Sequence, residues 1–155
     1  MILQSLKKKM KNPSLTVAQI KEIEGSFNLN LNISLLHIKE KHKYSYLLIV
    51  KSETTRFAKL TIYPINKERV LKVTLTGLNL IDEHIENFSI KLHEYEIIHS
   101  SGLVLVEGKL FFECYLNLSL GDEKYKDLKM LLDKNKNKFK DIKIEEISLA
   151  KSKVN

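Results

Sequence analysis

The chain has 155 residues, 43% of them hydrophobic and 29% charged, with 5 glycines and 2 prolines. This composition excludes collagen-like and low-complexity classes and predicts one globular domain over residues 1–155. The apolar runs are much shorter than the roughly 20 residues of a membrane-spanning helix, and no apolar signal region follows the basic first residues, so we expect a cytoplasmic protein without a membrane partner. The single Cys114 cannot form an internal disulfide.

The formal net charge of +7 is concentrated in the first half of the chain. Residues 1–77 contain 12 lysines, 2 arginines and 5 glutamates, which gives +9, whereas residues 78–155 contain 12 lysines and 14 acidic residues, which gives −2. Lysine lacks the fork geometry with which arginine recognises phosphate, so the sequence favours a lysine-rich composition without a binding role. Nucleic-acid binding by the basic segment is the alternative. The candidate nucleic-acid ligands are Lys7, Lys8, Lys9, Lys11, Lys39, Lys41 and Lys43, with Tyr44, Tyr46 and Tyr63 as candidate base-stacking residues.

The first half is predicted to contain a basic arm, a short helix and a β-meander. The arm covers residues 1–13, and the helix covers about 15–24, because Thr16 and Gln19 have capping-box spacing and apolar residues recur at helical intervals. Strict alternation of apolar and polar residues predicts a strand over 27–35. Short polar connections are typical of antiparallel neighbours, and they link further predicted strands over 44–52, 56–65 and 69–77.

In the second half, helical and alternating patterns follow one another. The predicted elements are a helix over 79–94, strands over 96–106 and 109–120 joined by a tight turn at Glu107-Gly108, a helix from Gly121, and a strand over 142–149. Over residues 69–149 the order strand, helix, strand, strand, helix, strand is that of a split βαβ unit. The predicted fold is therefore α+β. Along the chain, the helix and meander of 15–77 come first, and the split βαβ unit with its antiparallel sheet follows. The meander either widens that sheet or packs on its other face.

In this element order, residues 69–149 resemble the ferredoxin-like regulatory modules that include ACT domains. The resemblance implies a non-catalytic regulatory or assembly module that binds a small-molecule effector. ACT domains place a polar residue in the loop after the first strand, where the effector binds, and Asn79 stands at that position. Because sheets of this kind leave open edges that a second subunit often pairs, we also expect a homodimer.

The polar segment from His99 to Gly102 interrupts an otherwise apolar predicted strand. Serine hydroxyls orient polar ligands and glycine permits close approach, so His99, Ser100, Ser101 and Gly102, together with Asn79, form the predicted ligand site. The interpretation that the pattern favours over a ligand site is a bulge or bend in the strand. Neighbouring strand residues point to opposite faces, so His99 and Ser100 are not expected to form a nucleophile–base pair.

No catalytic residue, cofactor or metal site is predicted from the remaining motifs. The sequence has no glycine-rich dinucleotide motif, no phosphate-binding loop and no metalloprotease motif. The five histidines lack the close spacings typical of metal ligands, and His99 and Cys114 are the pair that adjacent strands would bring together.

Overall fold

The computed structural model describes residues 15–22, 43–53, 56–77 and 84–149. The predicted basic arm and the predicted strand over 27–35 lie outside these residues. The described elements, in chain order, are β1 (Thr16–Glu22), β2 (Tyr46–Glu53), β3 (Ala58–Ile65), β4 (Arg69–Thr76), α1 (His84–His93), β5 (Ile97–Val106), β6 (Lys109–Leu116), α2 (Lys124–Lys134) and β7 (Asp141–Ser148), with a short 3-10 turn at Lys136–Lys138. Apart from β1, each confirms a predicted element with bounds shifted by a few residues.

Two antiparallel sheets form the framework of the fold. The first has the strand order β1-β2-β3, and the second has the order β5-β6-β4-β7 with α1 and α2 in its connections. This arrangement confirms the predicted α+β class and the split βαβ unit. At one side the two sheets meet through a parallel bridge between Ile20 of β1 and Leu149 after β7. Among the described residues, no helix combines the length and hydrophobicity needed to cross a membrane.

The predicted helix over 15–24 is wrong, because this segment forms β1. It pairs with β2 from Thr16 opposite Ser52 to Glu22 opposite Tyr46. Thr16 and Ile20 are buried whereas Val17 is exposed, which is the two-residue period of a strand. The backbone partners supplied by β2 outweigh the weak helical preference of a segment whose buried residues include β-branched side chains.

The predicted meander includes β4, and this part of the prediction is wrong, because β4 belongs to the second sheet. It lies in the centre of the second sheet, between β6 and β7. Every residue of β4 after Arg69 is buried, so both of its faces are covered. The polar connection at residues 66–68 carries the chain from the first sheet to the second. Strands β1 to β3 therefore pack on the face of the split βαβ sheet that is opposite to the helices.

This layering produces two separate cores. The helix-side core lies between the second sheet and the two helices, and its buried residues are Leu71, Val73, Leu75, Phe88, Leu92, Cys114, Leu116, Leu118, Leu128, Leu132 and Phe139. The sheet-side core lies between the two sheets, and its buried residues are Ile20, Leu48, Val50, Ile65, Val70 and Tyr115. Strands β4 and β6 contribute to both cores through alternating side chains.

Candidate functional site

Most of the predicted nucleic-acid ligands lie outside the described residues, as does Asn79. Lys43 is described and its side chain is exposed. Tyr46 and Tyr63 pack against the sheet-side core, so they are not positioned to stack on bases. Nucleic-acid binding stays a prediction.

The segment from His99 to Gly102 forms part of β5, and the predicted bulge or bend in the strand is confirmed by a shift in register. Ser100 pairs with Cys114 and Leu103 pairs with Phe112, so two residues of β5 lie opposite Glu113 alone. The second of these two, Gly102, has φ +67°, the left-handed conformation that glycine adopts at low cost.

The polar groups of this bulge bind mainly to each other and to β6. Ser101 Oγ accepts a 2.9 Å hydrogen bond from the backbone N–H of Glu113 and donates to the carbonyl oxygen of Gly102 at 2.7 Å. The backbone N–H of Gly102 donates to Ser100 Oγ at 3.1 Å. Ser101 is therefore committed to holding the bulge, whereas Ser100 is exposed and keeps its hydroxyl proton for solvent or a ligand.

His99 points between the two sheets, away from Ser100 and Cys114. Its Nδ1 lies 2.7 Å from the hydroxyl of Tyr63 on β3, and its ring contacts the Tyr115 ring at 5.9 Å between centroids. Burial lowers the pKa of His99, Lys59 lowers it further, and Glu113 opposes the shift. The lowered pKa favours the neutral imidazole, and its hydrogen bond with the Tyr63 hydroxyl joins β3 to β5.

A buried polar cluster of Thr16, Lys72, Glu113 and Tyr115, which sequence reasoning missed, lies beside this contact in the sheet-side core. Lys72 and Glu113 are 3% and 0% exposed, and Lys72 Nζ lies 3.2 Å from Glu113 Oε1. Lys72 Nζ also donates to the carbonyl oxygen of Thr16 at 2.6 Å. The one available sequence signal is that Lys72 and Glu113 each interrupt an apolar strand.

The Glu113 carboxylate also binds the beginning of β1. Its two oxygens accept the backbone N–H groups of Leu15 at 3.0 Å and of Thr16 at 2.9 Å. The Thr16 hydroxyl lies 2.6 Å from Glu113 Oε2 and 2.7 Å from the Tyr115 hydroxyl. Because a carboxylate only accepts, Thr16 donates to Glu113 and Tyr115 donates to Thr16. Burial is the main reason that the pKa of Tyr115 is raised to about 12.

These bonds link β1 to β4 and β6. The charges of Lys72 and Glu113 neutralise each other, and the Tyr115 hydroxyl keeps its proton. Cys114 lies in the helix-side core, where burial and the charge of Glu113 raise the pKa of its thiol to about 12, so it is inert as a nucleophile. Among the described residues, no group of three or more metal-ligating side chains converges.

The outer edge of β5 exposes apolar side chains next to the bulge. Leu103 is 52% exposed and Leu105 is 67% exposed, and β6 is the one neighbour of β5 in the described part of the sheet. No charged side chain lies between His99 and Val106. Monomeric proteins protect edge strands with charges, proline or bulges, and β5 has none of these from Leu103 to Val106, beyond its bulge.

The backbone of the β5 edge is also directed outward at these two leucines. Val106 and Lys109 close a two-residue hairpin, so hydrogen-bonded and non-hydrogen-bonded pairs alternate from that point. Leu105 and Leu103 then fall in non-hydrogen-bonded pairs, and their N–H and C=O groups point away from β6. Leu110, the partner of Leu105, agrees with this alternation. Its carbonyl oxygen accepts a 2.7 Å hydrogen bond from the N–H of Gly77 after β4, so it points away from β5.

Comparison of the chain with protein-family models finds no match, and comparisons with curated proteins and with solved structures find no significant match.

Proposed function

We propose that this chain is a non-catalytic regulatory or assembly module of the cytoplasm that forms a homodimer through the outer edge of β5. The proposal is carried by Leu103 and Leu105, because both have exposed apolar side chains and backbone N–H and C=O groups that point away from β6. Pairing β5 with a second β5 joins two four-stranded sheets into one and removes the open edge.

A two-fold axis through Val104 buries the leucine side chains and pairs the backbone N–H and C=O groups of the β5 edge in the same interface. In that antiparallel register Leu103 of one copy lies opposite Leu105 of the other, and each pair exchanges two backbone hydrogen bonds. The four leucines then lie together on the helix side of the joined sheet, beside Phe112 and Leu110, with which Leu103 and Leu105 pair in their own sheet. The interface is isologous, because the same residues are used by both copies.

The proposed effector site adjoins this interface. Ser100 lies on the same strand, three residues before Leu103, and its side chain is exposed. A small molecule that hydrogen-bonds Ser100 next to the bulge would contact the partner copy as well, which couples effector binding to dimerisation. Asn79 belongs to this proposal on the strength of the ACT-like element order.

The test replaces the two leucines and measures the mass in solution by sedimentation velocity over a range of concentrations. The variant L103E/L105E places glutamate opposite glutamate in both pairs, and we expect its dimer dissociation constant to rise by at least about 10-fold. The variant L103E/L105K places glutamate opposite lysine and is expected to dimerise again. Met130→Glu, at an exposed position on α2, is the matched control and should leave the dimer unchanged.

Circular dichroism separates loss of pairing from loss of folding in each variant. A wild-type chain that stays monomeric at all concentrations contradicts the proposal. Failure of L103E/L105K to restore the dimer, when L103E/L105E abolishes it, contradicts the register with the axis through Val104.

A further inference from the structure

A groove lies at the opposite edge of the second sheet, between the end of α2, the turn that follows it and β7. Its volume is about 270 Å³, close to the roughly 300 Å³ at which small-molecule sites begin. Its apolar lining consists of Leu132, Phe139, Ile142 and Ile144. A cavity of this size accommodates one ring or a short alkyl chain, and it is separate from the β5 edge.

The polar lining of the groove is predominantly basic. Lys129, Lys136 and Lys140 line it together with Asp133 and Asp141, which gives a net charge of +1. None of these three lysines takes part in the ion pairs Lys51–Glu53, Lys67–Asp122, Arg69–Glu146, Lys72–Glu113 and Lys143–Glu145. The groove therefore combines an apolar floor with cationic groups that are not engaged in those ion pairs.

The end of α2, which would repel an anion, is capped. The Asn135 side-chain amide donates to the carbonyl oxygen of Leu131 at 2.8 Å, and the Asn135 backbone N–H donates to that of Leu132 at 3.1 Å. These bonds occupy carbonyl groups that carry the negative end of the helix dipole. Three lysines against two carboxylates then leave the lining with a net positive charge.

The turn over residues 136–140 is held in place by contact with the end of β4. The backbone N–H of Lys140 donates to the carbonyl oxygen of Thr76 at 2.8 Å. A Cβ added to Gly77 would lie 2.6 Å from the Cβ of Lys140, so the turn packs against a position that has no room for a side chain. The groove is consequently formed before any ligand arrives.

We propose that this groove binds an amphipathic monoanion, in which a small aromatic or aliphatic body contacts the apolar floor and a carboxylate contacts the lysines. The net charge of +1 favours one negative charge over two. This site is independent of the β5 interface.

The experiment titrates the full chain with three probes that share one body, 3-phenylpropionate, 3-phenylpropanol and 3-phenylpropylamine, and follows backbone amide chemical shifts by NMR. We expect the carboxylate to bind most tightly and the amine most weakly, with the largest shifts at Leu132, Phe139 and Ile142. Lys136→Gln and Lys140→Gln should each weaken carboxylate binding by about 2- to 5-fold. Lys124→Gln and Lys126→Gln, which alter exposed lysines of α2 outside the groove, should leave it unchanged.

Three results would overturn the proposal. The first is equal binding of the alcohol and the carboxylate, and the second is preference for the amine. The third is equal loss of affinity in the groove and control variants, which would indicate nonspecific attraction to a lysine-rich surface. A monomeric chain that binds the carboxylate in the groove would contradict the proposed dimer and leave the groove site supported.

Discussion

The two faces of the second sheet are buried by different chemistry. On the helix side the residues of β4 are Leu71, Val73 and Leu75, and their neighbours are apolar. On the other side β4 and β6 bring Lys72 and Glu113 into the sheet-side core. Apolar burial stabilises without directional preference, whereas a buried carboxylate is stable only when its hydrogen-bond donors are in place.

This difference indicates that the helix-side core supplies stability and the polar cluster supplies register. Glu113 accepts backbone N–H groups from Leu15 and Thr16, so a shift of β1 by one residue would remove the Thr16 hydroxyl from the cluster and turn Val17 inward. Such a shift leaves a buried charge short of donors, which costs more than a mismatch of apolar side chains.

The largest expected effect comes from breaking the polar cluster. Glu113→Ala removes the partner of buried Lys72 and the acceptor of Leu15 and Thr16, and we expect it to lower the free energy of unfolding by about 3–5 kcal/mol. Urea denaturation measures this loss. The double variant Lys72→Met/Glu113→Leu removes both charges and should be more stable than Glu113→Ala. A Glu113→Ala chain within about 1 kcal/mol of wild type would show that the cluster is not the specific feature proposed here.

The matched change in the helix-side core is Leu128→Ala. Leu128 is fully buried, so we expect a loss of about 3 kcal/mol from lost burial and the resulting cavity. Met130→Ala, on the exposed side of the same helix, should change stability by no more than about 0.5 kcal/mol. If the two α2 variants were equally stable, the helix would not be held by this core.

An intermediate effect is expected where the turn after α2 meets β4. Gly77 and Gly108 both have positive φ, at 71° and 73°, so alanine is strained by about 1 kcal/mol at either position. An added Cβ at Gly77 would collide with Lys140, whereas at Gly108 nothing lies within 4 Å. Gly77→Ala should therefore cost about 1–3 kcal/mol more than Gly108→Ala in thermal or urea unfolding. Equal losses of stability in Gly77→Ala and Gly108→Ala would mean that the turn over residues 136–140 moves aside without cost.

The smallest effect is a pH dependence on the sheet side. Burial lowers the pKa of His99 in the folded chain, so the unfolded chain binds more protons below the ordinary pKa of about 6.5. The contribution of His99 to stability is thus present above that pH and is lost as the pH falls through the folded pKa. Wild type should lose more stability than His99→Gln between about pH 7 and pH 5. Parallel pH profiles in the two chains would contradict this assignment.

Much of the second half could be predicted from the sequence, because its signals are local. Alternation and helical spacing gave the helix and strand order from β4 to β7, and Glu107-Gly108 gave the hairpin. The interruption of β5 at His99 to Gly102 also had a local signal. The sequence alone could not decide whether this signal marks a ligand site or a bulge in the strand. The bulge depends on the Ser101 bond to Glu113, which lies twelve residues away.

The first half was less predictable because its structure depends on distant partners. Thr16 has capping-box spacing, yet its hydroxyl and N–H groups bind Glu113 in another sheet. The same non-local bonding explains why the polar cluster was missed, since nothing near Lys72 in the sequence indicates the carboxylate that neutralises it. The placement of β4 in the second sheet likewise required pairing with β6 and β7 to be known.

The bonds from Leu15 and Thr16 to Glu113 span 98 and 97 residues of chain. Closing a loop of that length costs entropy that is recovered only when both ends are already ordered, so β1 is expected to dock late in folding, after β6 has found β4. Docking of β1 brings Glu113 the N–H groups of Leu15 and Thr16, and it brings Lys72 the carbonyl oxygen of Thr16. The closing step thus supplies the charged pair with the partners that its burial requires.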